Sequence, residues 1–356
     1  MFNGNKHGCR YLDFNCGGNR FLSMENSIFR MTFWLNKGAD LIELRHKATD
    51  IDVLWRSPLP MPDAGSFISP NSTPSFIDYY PGGWQEAFPN AHSPVSEYKN
   101  APLGQNGEVC LLPWSYEVLE CHETMLKIKM FVSTTRTPFK LTRIISLMKD
   151  DAFFRMDKTI ENLGLEEMHY NWGHHSVFGA PLLEENCIID LAEGSVAVVP
   201  DFSFSHLDRY VRNQRNSWPN LTDKNGNQVD ASQILAPHAK SMDAFEVELT
   251  SPWVALRNPK LNLGIGMAWE LTTFPYLWIW EAYCGSPGYP FYSRNYNLGL
   301  EPYSVPIETL TESIERGHSH QISPGETVHS SFMFGFTQGI QPIKHIGLDG
   351  TFRFEN

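Results

Sequence analysis

The sequence lacks the short motifs that mark several common enzyme classes. It has neither the Gly-x-Gly-x-x-Gly fingerprint of dinucleotide-binding folds nor the Gly-Lys-Ser/Thr of a phosphate-binding loop, so nothing in it predicts a nucleotide cofactor. A Gly-x-Ser-x-Gly elbow is also missing, which leaves serine hydrolysis without support. No two cysteines stand at Cys-x-x-Cys spacing. The six scattered cysteines therefore predict reduced thiols and neither a zinc site nor a disulfide framework: Cys9, Cys16, Cys110, Cys121, Cys187 and Cys284.

Positive charge is scarce as well, and it is not clustered. The formal net charge is −12 and the isoelectric point is about 5.5, with no run of Lys and Arg. Because clustered cations bind phosphate backbones, we expect no nucleic-acid partner. The most apolar stretch, residues 274–284, is too short to cross a bilayer and contains Glu281, while residues 1–20 are polar and unlike a signal peptide. These absences predict a cytoplasmic protein without a membrane partner.

What the sequence does contain is alternating hydrophobicity. Apolar residues make up 42% of the chain and aromatic residues 13%, ample for a large core. They recur at every second position in several segments that turn signals separate, as at Leu126, Ile128, Met130 and Val132. Helical periodicity is weak, and even residues 308–316 cover little more than two turns. We therefore predict an all-β protein, a large antiparallel sandwich with few or no long helices, forming one domain over residues 1–356.

The long tract over residues 57–103 is rich in Pro, Gly and Ser and has little alternation. Its aromatic residues and small-residue turns favour an ordered loop over a site, with a disordered linker as the alternative. It contains Trp84, Gln85 and Glu86. After the tract, Asn106 and Glu108 frame an Asn-Gly turn that would bring polar groups to the mouth of a strand, although a plain turn is the default interpretation.

Glu301 stands in an unusual setting near the C-terminus. Leu298 and Leu300 alternate before it, and Pro302 biases its backbone toward an extended conformation. A carboxylate held at a partly buried strand end should have a raised pKa, which suits a general base. The alternative is a solvated glutamate at the end of a strand.

The histidine pair His174 and His175 offers the acid that such a base would need. In an extended segment the two side chains point to opposite faces, so only one can enter a pocket and the other is structural. Metal binding is the rival use. It would require further ligands at coordinating spacing near the pair, and the sequence has none there, so we expect no metal.

Aromatic residues alternate in the segment that begins at Trp278. Alternation puts Trp278, Trp280 and Ala282 on one face and Glu281 on the other. Tryptophan rings stack on the apolar faces of sugars, and carboxylates bind sugar hydroxyls. In β-sandwiches such rings are more often core, and we expect that for Trp278.

Together these segments resemble the galactose mutarotase-like (aldose 1-epimerase) superfamily, and specifically a poorly characterised subgroup of it. Residues 29–55, with Gly38 and Ala39 in the middle, are similar to its opening pattern of strand, Gly-Ala turn and strand. Four later segments are similar to its motifs in the same order: the Gly-Gly loop (residues 82–90), the His-Gly turn (Asn106-Gly107-Glu108), the His-x-Tyr-Phe segment (His175-Ser176-Val177-Phe178) and the Leu-Glu-Pro segment (Leu300-Glu301-Pro302).

The resemblance implies a β-supersandwich that interconverts the α and β anomers of a sugar without a cofactor. Glu301 would be the general base and His175 the general acid. Its other implied contacts are to a small-molecule carbohydrate. Trp84 and Trp280 would hold the sugar ring, and the candidates for its hydroxyl groups are Gln85, Glu86, Asn106, Glu108, His174, Glu281 and Arg294.

Two departures from the family pattern bear on the substrate. Asn106 stands where the family has a sugar-binding histidine, and Val177 replaces the tyrosine of His-x-Tyr-Phe. The family's pocket aspartate has no clear counterpart, and Asp243 corresponds by position only. Two other functions therefore stay open. One is a non-catalytic carbohydrate-binding or sensor protein, and the other is a glycosidase or lyase that uses Glu301 and Glu281 as its carboxylate pair.

Overall fold

The computed structural model describes residues 7–61 and 75–355. Most of these residues lie in β-strands, and both α-helices are short. Within these ranges no helix has the length and apolar character needed to cross a membrane. The elements of the first half are β1 (Arg10–Cys16), β2 (Asn19–Glu25), β3 (Phe29–Trp34), β4 (Asp40–His46), β5 (Ile51–Asp52), α1 (Ser75–Asp78), β6 (Trp84–Ala87), β7 (Val95–Tyr98), β8 (Ala101–Leu103), β9 (Ser115–His122), β10 (Met125–Ser133), β11 (Phe139–Met148), β12 (Phe153–Asn162), β13 (Met168–Tyr170) and β14 (Gly173–Gly179).

The second half adds fourteen strands, one helix and a single 3₁₀ turn at Pro237–Ala239. The helix begins with a capping box, in which Thr309 and Glu312 each bind the backbone N–H of the other, and it ends at Gly317 with a positive φ. These elements are β15 (Ile188–Leu191), β16 (Val196–Val199), β17 (Gln214–Ser217), β18 (Asn220–Thr222), β19 (Gln228–Asp230), β20 (Ser241–Glu248), β21 (Trp253–Asn258), β22 (Leu263–Trp269), β23 (Tyr276–Tyr283), β24 (Tyr296–Tyr303), α2 (Leu310–Arg316), β25 (His320–Ile322), β26 (Thr327–Thr337), β27 (Ile343–Ile346) and β28 (Phe352–Phe354).

Two large antiparallel sheets form the sandwich. The first has twelve strands in the order β1-β2-β3-β4-β6-β14-β24-β23-β20-β16-β17, with β5 paired to β4. The second has eight strands in the order β15-β21-β22-β26-β12-β11-β10-β9. The prediction of an antiparallel all-β sandwich with few helices is confirmed.

The main core lies between the two sheets. Trp84 of β6 contacts Phe332 and Phe334 of β26, with ring centroids 5.3 and 6.0 Å apart. On β10 the predicted apolar positions are buried and the intervening residues are partly exposed, as alternation requires. The alternating apolar residues of each sheet therefore lie on its inner face.

Some strands are buried on both faces, which their alternation did not predict. Every residue of β22 is buried, because the C-terminal hairpin β27–β28 covers its outer face. A Cβ atom on Gly266 would lie 2.4 Å from Ile346 and 2.6 Å from Phe352, so the close approach requires glycine there. In the twelve-stranded sheet β24 is covered on its outer face as well, and this cover encloses the cavity described next.

Candidate active site

Glu301 and His175 lie next to each other on paired strands of the twelve-stranded sheet. Strands β14 and β24 pair Gly173 with Tyr303 and Val177 with Gly299, so residue 175 stands opposite residue 301. Residues opposite each other in an antiparallel ladder share a face. His175 Nε2 is 3.7 Å from Glu301 Oε1. The structure thus brings the two predicted catalytic side chains together on the outer face of the sheet.

The imidazole of His175 is held by aromatic neighbours. Tyr80 and Phe76 meet its ring edge-to-face at centroid distances of 5.2 and 5.5 Å. The hydroxyl of Tyr80 lies 3.4 Å from Nδ1. Helix α1 supplies Phe76, so the part of the 57–103 tract that follows residue 74 is an ordered segment over the site. With Nδ1 facing Tyr80, the other ring nitrogen is directed to Glu301.

Burial dominates the electrostatics of this pair. Glu301 is 4% exposed, and desolvation raises its pKa well above the usual value. Burial also lowers the pKa of His175 to about 3. Desolvation therefore favours the neutral form of each group. The alternative of a solvated glutamate at the strand end is excluded by this burial.

A cavity of about 400 Å³ opens above the pair. Trp278 and Trp280 of β23 contribute to its wall, since Trp278 pairs with Glu301 across the strands and shares its face. The expected core position of Trp278 is confirmed, and the ring has a second role that was not expected. Its ring is buried, but it lines the cavity while stacking on Tyr303 at 3.6 Å. Four of the polar atoms around the cavity have no hydrogen-bond partner among the described residues: Trp280 Nε1, the Tyr303 hydroxyl and both ring nitrogens of His92.

Two other predicted contacts lie close to the pair. Asn106 lines the cavity from a turn in which its φ is 58°. Gln85 is paired with His175 across β6 and β14, so it stands on the same face beside the imidazole. It is fully buried and donates to the carbonyl of Gly82, while its own carbonyl oxygen has no partner in the part of the chain that the structure describes.

Three predicted contacts point the other way, into the sandwich. Trp84, Glu86 and His174 belong to the opposite parity of β6 and β14 and face the eight-stranded sheet. There Glu86 accepts from Trp172 Nε1 at 2.6 Å and from Lys158 Nζ at 3.1 Å. His174 accepts from Trp84 Nε1 at 2.8 Å and contacts Lys158. The structure corrects these three assignments, because the sheet itself separates them from the cavity.

The remaining predicted contacts are also engaged elsewhere. The carboxylate of Glu108 accepts from the backbone N–H groups of residues 135–137 and closes that turn. Glu281 and Asp243 share the guanidinium of Arg209 on the inner face of β23 and β20. Arg294 is exposed and its Nε donates to the carbonyl of Phe291.

This arrangement excludes Glu281 and Glu301 as the carboxylate pair of a glycosidase or lyase. Glu281 and Glu301 lie on opposite faces of the sheet and cannot flank one glycosidic bond. A metal centre has no support either. In the ranges 7–61 and 75–355 no group of three or more His, Cys, Asp and Glu side chains is placed to hold a metal ion.

A family model described as Domain of unknown function (DUF4432) matches residues 17–335. The chain belongs to the DUF4432 family. No curated protein matches the chain. The family description carries no activity, so it places this chain among relatives without assigning the reaction.

Solved structures share the fold at low sequence identity. A structure from Klebsiella pneumoniae, titled a "putative aldose 1-epimerase", has a TM-score of 0.71 at 14% identity and covers 94% of this chain and 89% of its own. A galactose mutarotase-like protein from Clostridium acetobutylicum has a TM-score of 0.63 at 11% identity, covering 94% and 100%. At such identities the likeness shows the fold. The predicted fold, that of galactose mutarotase-like proteins, is confirmed.

Sequence analysis missed several residues that shape the site of this DUF4432 chain. Tyr80 contacts His175, Tyr303 stacks on Trp278 at the cavity, and burial raises the pKa of each tyrosine well above its usual value. The signal for Tyr303 was present, since it stands two residues after Glu301 and therefore on the same face. Tyr80 had no periodic signal, because it lies outside any strand and reaches the site through the path of its loop.

Proposed function

We propose that this protein interconverts the anomers of an aldose, as an aldose 1-epimerase does. The observation that carries the proposal is the Glu301–His175 pair, two titratable groups 3.7 Å apart on adjacent strands at the floor of a cavity. A buried acid–base pair beneath aromatic side chains suits proton transfer on a sugar ring.

Ring opening requires one proton to leave the sugar and one to arrive. Glu301, as carboxylate, takes the proton of the anomeric hydroxyl while the bond between C1 and the ring oxygen breaks and the C1 carbonyl forms. His175, as imidazolium, delivers its proton to the ring oxygen. Rotation about the C1–C2 bond presents the other face of the carbonyl, and the reverse transfers close the ring to the other anomer.

Glu301 and His175 return to their starting protonation states after each cycle, so the proton transfers balance without a cofactor. Burial favours the carboxylic acid form of Glu301 and the neutral imidazole form of His175. This form carries the same single proton as the carboxylate with imidazolium. A shift of that proton from Glu301 to His175, aided by the polar groups of a bound sugar, therefore produces the form that opens the ring.

The test is anomer exchange measured by proton NMR, or polarimetry on freshly dissolved sugar, over a panel of aldoses. The wild type should accelerate exchange of at least one sugar. Glu301→Gln keeps the shape but cannot accept the proton, so its turnover should fall by roughly two to four orders of magnitude while sugar binding survives.

Glu281→Gln is the matched control, since it makes the same chemical change on the inner face of the same sheet. It should retain the turnover of the wild type in the folded protein. Binding without exchange by the wild type would refute the enzyme and leave a carbohydrate-binding protein. Normal turnover in a folded Glu301→Gln variant would remove the base.

A further inference from the structure

The lining of the cavity carries very little positive charge. Among the residues that the structure describes around the cavity there is no Lys or Arg. Glu301 is the only carboxylate there. In the sequence, residues 57–98 contain neither Lys nor Arg, and the same is true of residues 261–293.

The nearest cations are already engaged. Lys37 lies under Phe76, with Nζ 5.8 Å from the ring centroid, and it is fully buried in an ion pair with Asp40 at 2.6 Å. It also donates to the carbonyl of Cys110 at 3.0 Å. Arg294 is exposed and does not line the cavity, and its Nε donates to the Phe291 carbonyl. A phosphate, sulfonate or carboxylate on the ligand would meet Glu301 without a compensating cation, at a large desolvation cost.

One side of the cavity is a continuous apolar surface, which we name the apolar wall: Phe76, Ile77, Trp280 and Phe291. Trp55 backs it from behind, with ring centroids 5.5 Å from Phe291 and 6.1 Å from Trp280. The wall offers a single polar atom, Trp280 Nε1, and that atom is inaccessible to solvent. A sugar hydroxyl turned to this wall would lose its hydrogen bonds to water.

Hydroxyl partners lie elsewhere on the lining, among them the two ring nitrogens of His92 and the Tyr303 hydroxyl, which have no hydrogen-bond partner among the described residues. Gln105 and Asn106 contribute amides, and His206 contributes an imidazole. Ser205 already donates to the carbonyl of Gly285 at 2.9 Å. The cavity is therefore two-sided, with polar groups on one part of its lining and none available on the apolar wall.

We propose that the site selects an uncharged deoxy sugar, whose edge without a hydroxyl group packs on the apolar wall. The inference rests on the proposed function and narrows its substrate. The polar groups would bind the remaining hydroxyls while the acid–base pair acts on C1. Rejection of a hydroxyl by an apolar pocket reaches about 10-fold to 100-fold, which sets the scale of the preference.

The experiment compares matched sugars that differ by one oxygen. D-glucose is measured beside its 2-deoxy and 6-deoxy forms, and D-glucose 6-phosphate and D-glucuronate serve as the charged members. Affinity is read from tryptophan fluorescence or calorimetry, and exchange from NMR. At least one deoxy sugar should exceed D-glucose by about tenfold in affinity and in kcat/KM, and the charged sugars should bind worst.

The Ile77→Thr variant adds a hydroxyl to the apolar wall and should reduce the deoxy preference severalfold. Ile340→Thr makes the same change at a side chain that is 63% exposed and outside the cavity, and it should leave the preference unchanged.

The two proposals fail in different ways. Deoxy sugars that bind preferentially but do not exchange would refute the epimerase and keep the inferred ligand. Exchange of D-glucose as fast as that of both deoxy forms, or tighter binding of a charged sugar, would overturn the inferred ligand and keep the epimerase. Absence of binding by every sugar would overturn both.

Discussion

His174 and His175 are neighbours in sequence, yet they occupy opposite environments. His174 faces the interior, where Nδ1 accepts from Trp84 at 2.8 Å and the other ring nitrogen contacts Lys158. His175 faces the cavity, where its ring nitrogens lie 3.4 Å from the Tyr80 hydroxyl and 3.7 Å from Glu301. The inner histidine has close partners on both sides, whereas the outer one has long contacts that a ligand can shorten.

The same contrast holds for the buried carboxylates on the two faces. Glu86, inside, is within ion-pair distance of Lys158 and Arg143. Glu301, outside, has an ion-pair contact to His175 alone among the described residues. A buried carboxylate without a Lys or Arg partner has a raised pKa, because desolvation acts on it uncompensated. The inner face thus pairs its buried charges, whereas the outer face leaves Glu301 in the state that the proposed proton transfer would use.

Replacing each of the two histidines by glutamine should give the largest difference in turnover. His175→Gln removes the group that exchanges protons with the ring oxygen, so turnover should fall by roughly two to four orders of magnitude in a folded protein. His174→Gln should lower stability but keep most of the turnover per folded molecule. NMR exchange rates and thermal melts on both variants check this. Loss of turnover in His174→Gln alone would reverse the assignment of the acid.

Lys158→Met should be the most damaging change to the inner face. It leaves Glu86 and His174 buried without their ammonium partner and removes the cation that lies 4.3 Å from the Trp172 ring. Breaking a buried pair in this way costs about 3–5 kcal/mol. Lys129→Met is the control, since its pair with Glu117 is partly exposed and worth about 0–1 kcal/mol. Denaturant unfolding measures both. Equal losses would contradict the distinction.

The pH dependence of stability should reveal how much free energy the burial of the Glu301 carboxylate costs. Its raised folded pKa means that the folded state keeps a proton which the unfolded state releases above its usual value of 4.5. The wild type therefore loses stability relative to Glu301→Gln as pH rises, by up to about 1.4 kcal/mol per pH unit. The difference in unfolding free energy should widen as pH rises from about 4.5 toward the raised folded pKa of Glu301. A constant difference would mean that Glu301 ionises normally.

Tyr80→Phe should have the smallest effect. The ring contacts with Phe76 and His175 survive, and only the hydroxyl near Nδ1 is lost. One such bond is worth about 0.5–1.5 kcal/mol, so kcat should fall up to about tenfold with KM nearly unchanged. Tyr98→Phe, which removes a hydroxyl bonded to the backbone of His169 outside the cavity, should leave both constants unchanged. A change in KM alone would make Tyr80 a substrate contact.

The alternation of apolar and polar residues was sufficient to predict much of the fold and one feature of the site. Alternation identified the strands, and it put His174 and His175 on opposite faces and separated Trp280 from Glu281, as the registers confirm. The family motifs named Glu301 and His175. Alternation could not predict the double burial of β22 or the reach of Tyr80, because these depend on the C-terminal hairpin and on the course of a loop.

The sequence by itself determined which side chains share a face, since a strand repeats every two residues whatever surrounds it. Only the tertiary structure decided which face would be the site. Packing of the eight-stranded sheet against one side turned Trp84, Glu86 and His174 into interior residues and left Gln85, His175 and Glu301 on the other. The period of a strand carries no information about which of its two faces another sheet will cover.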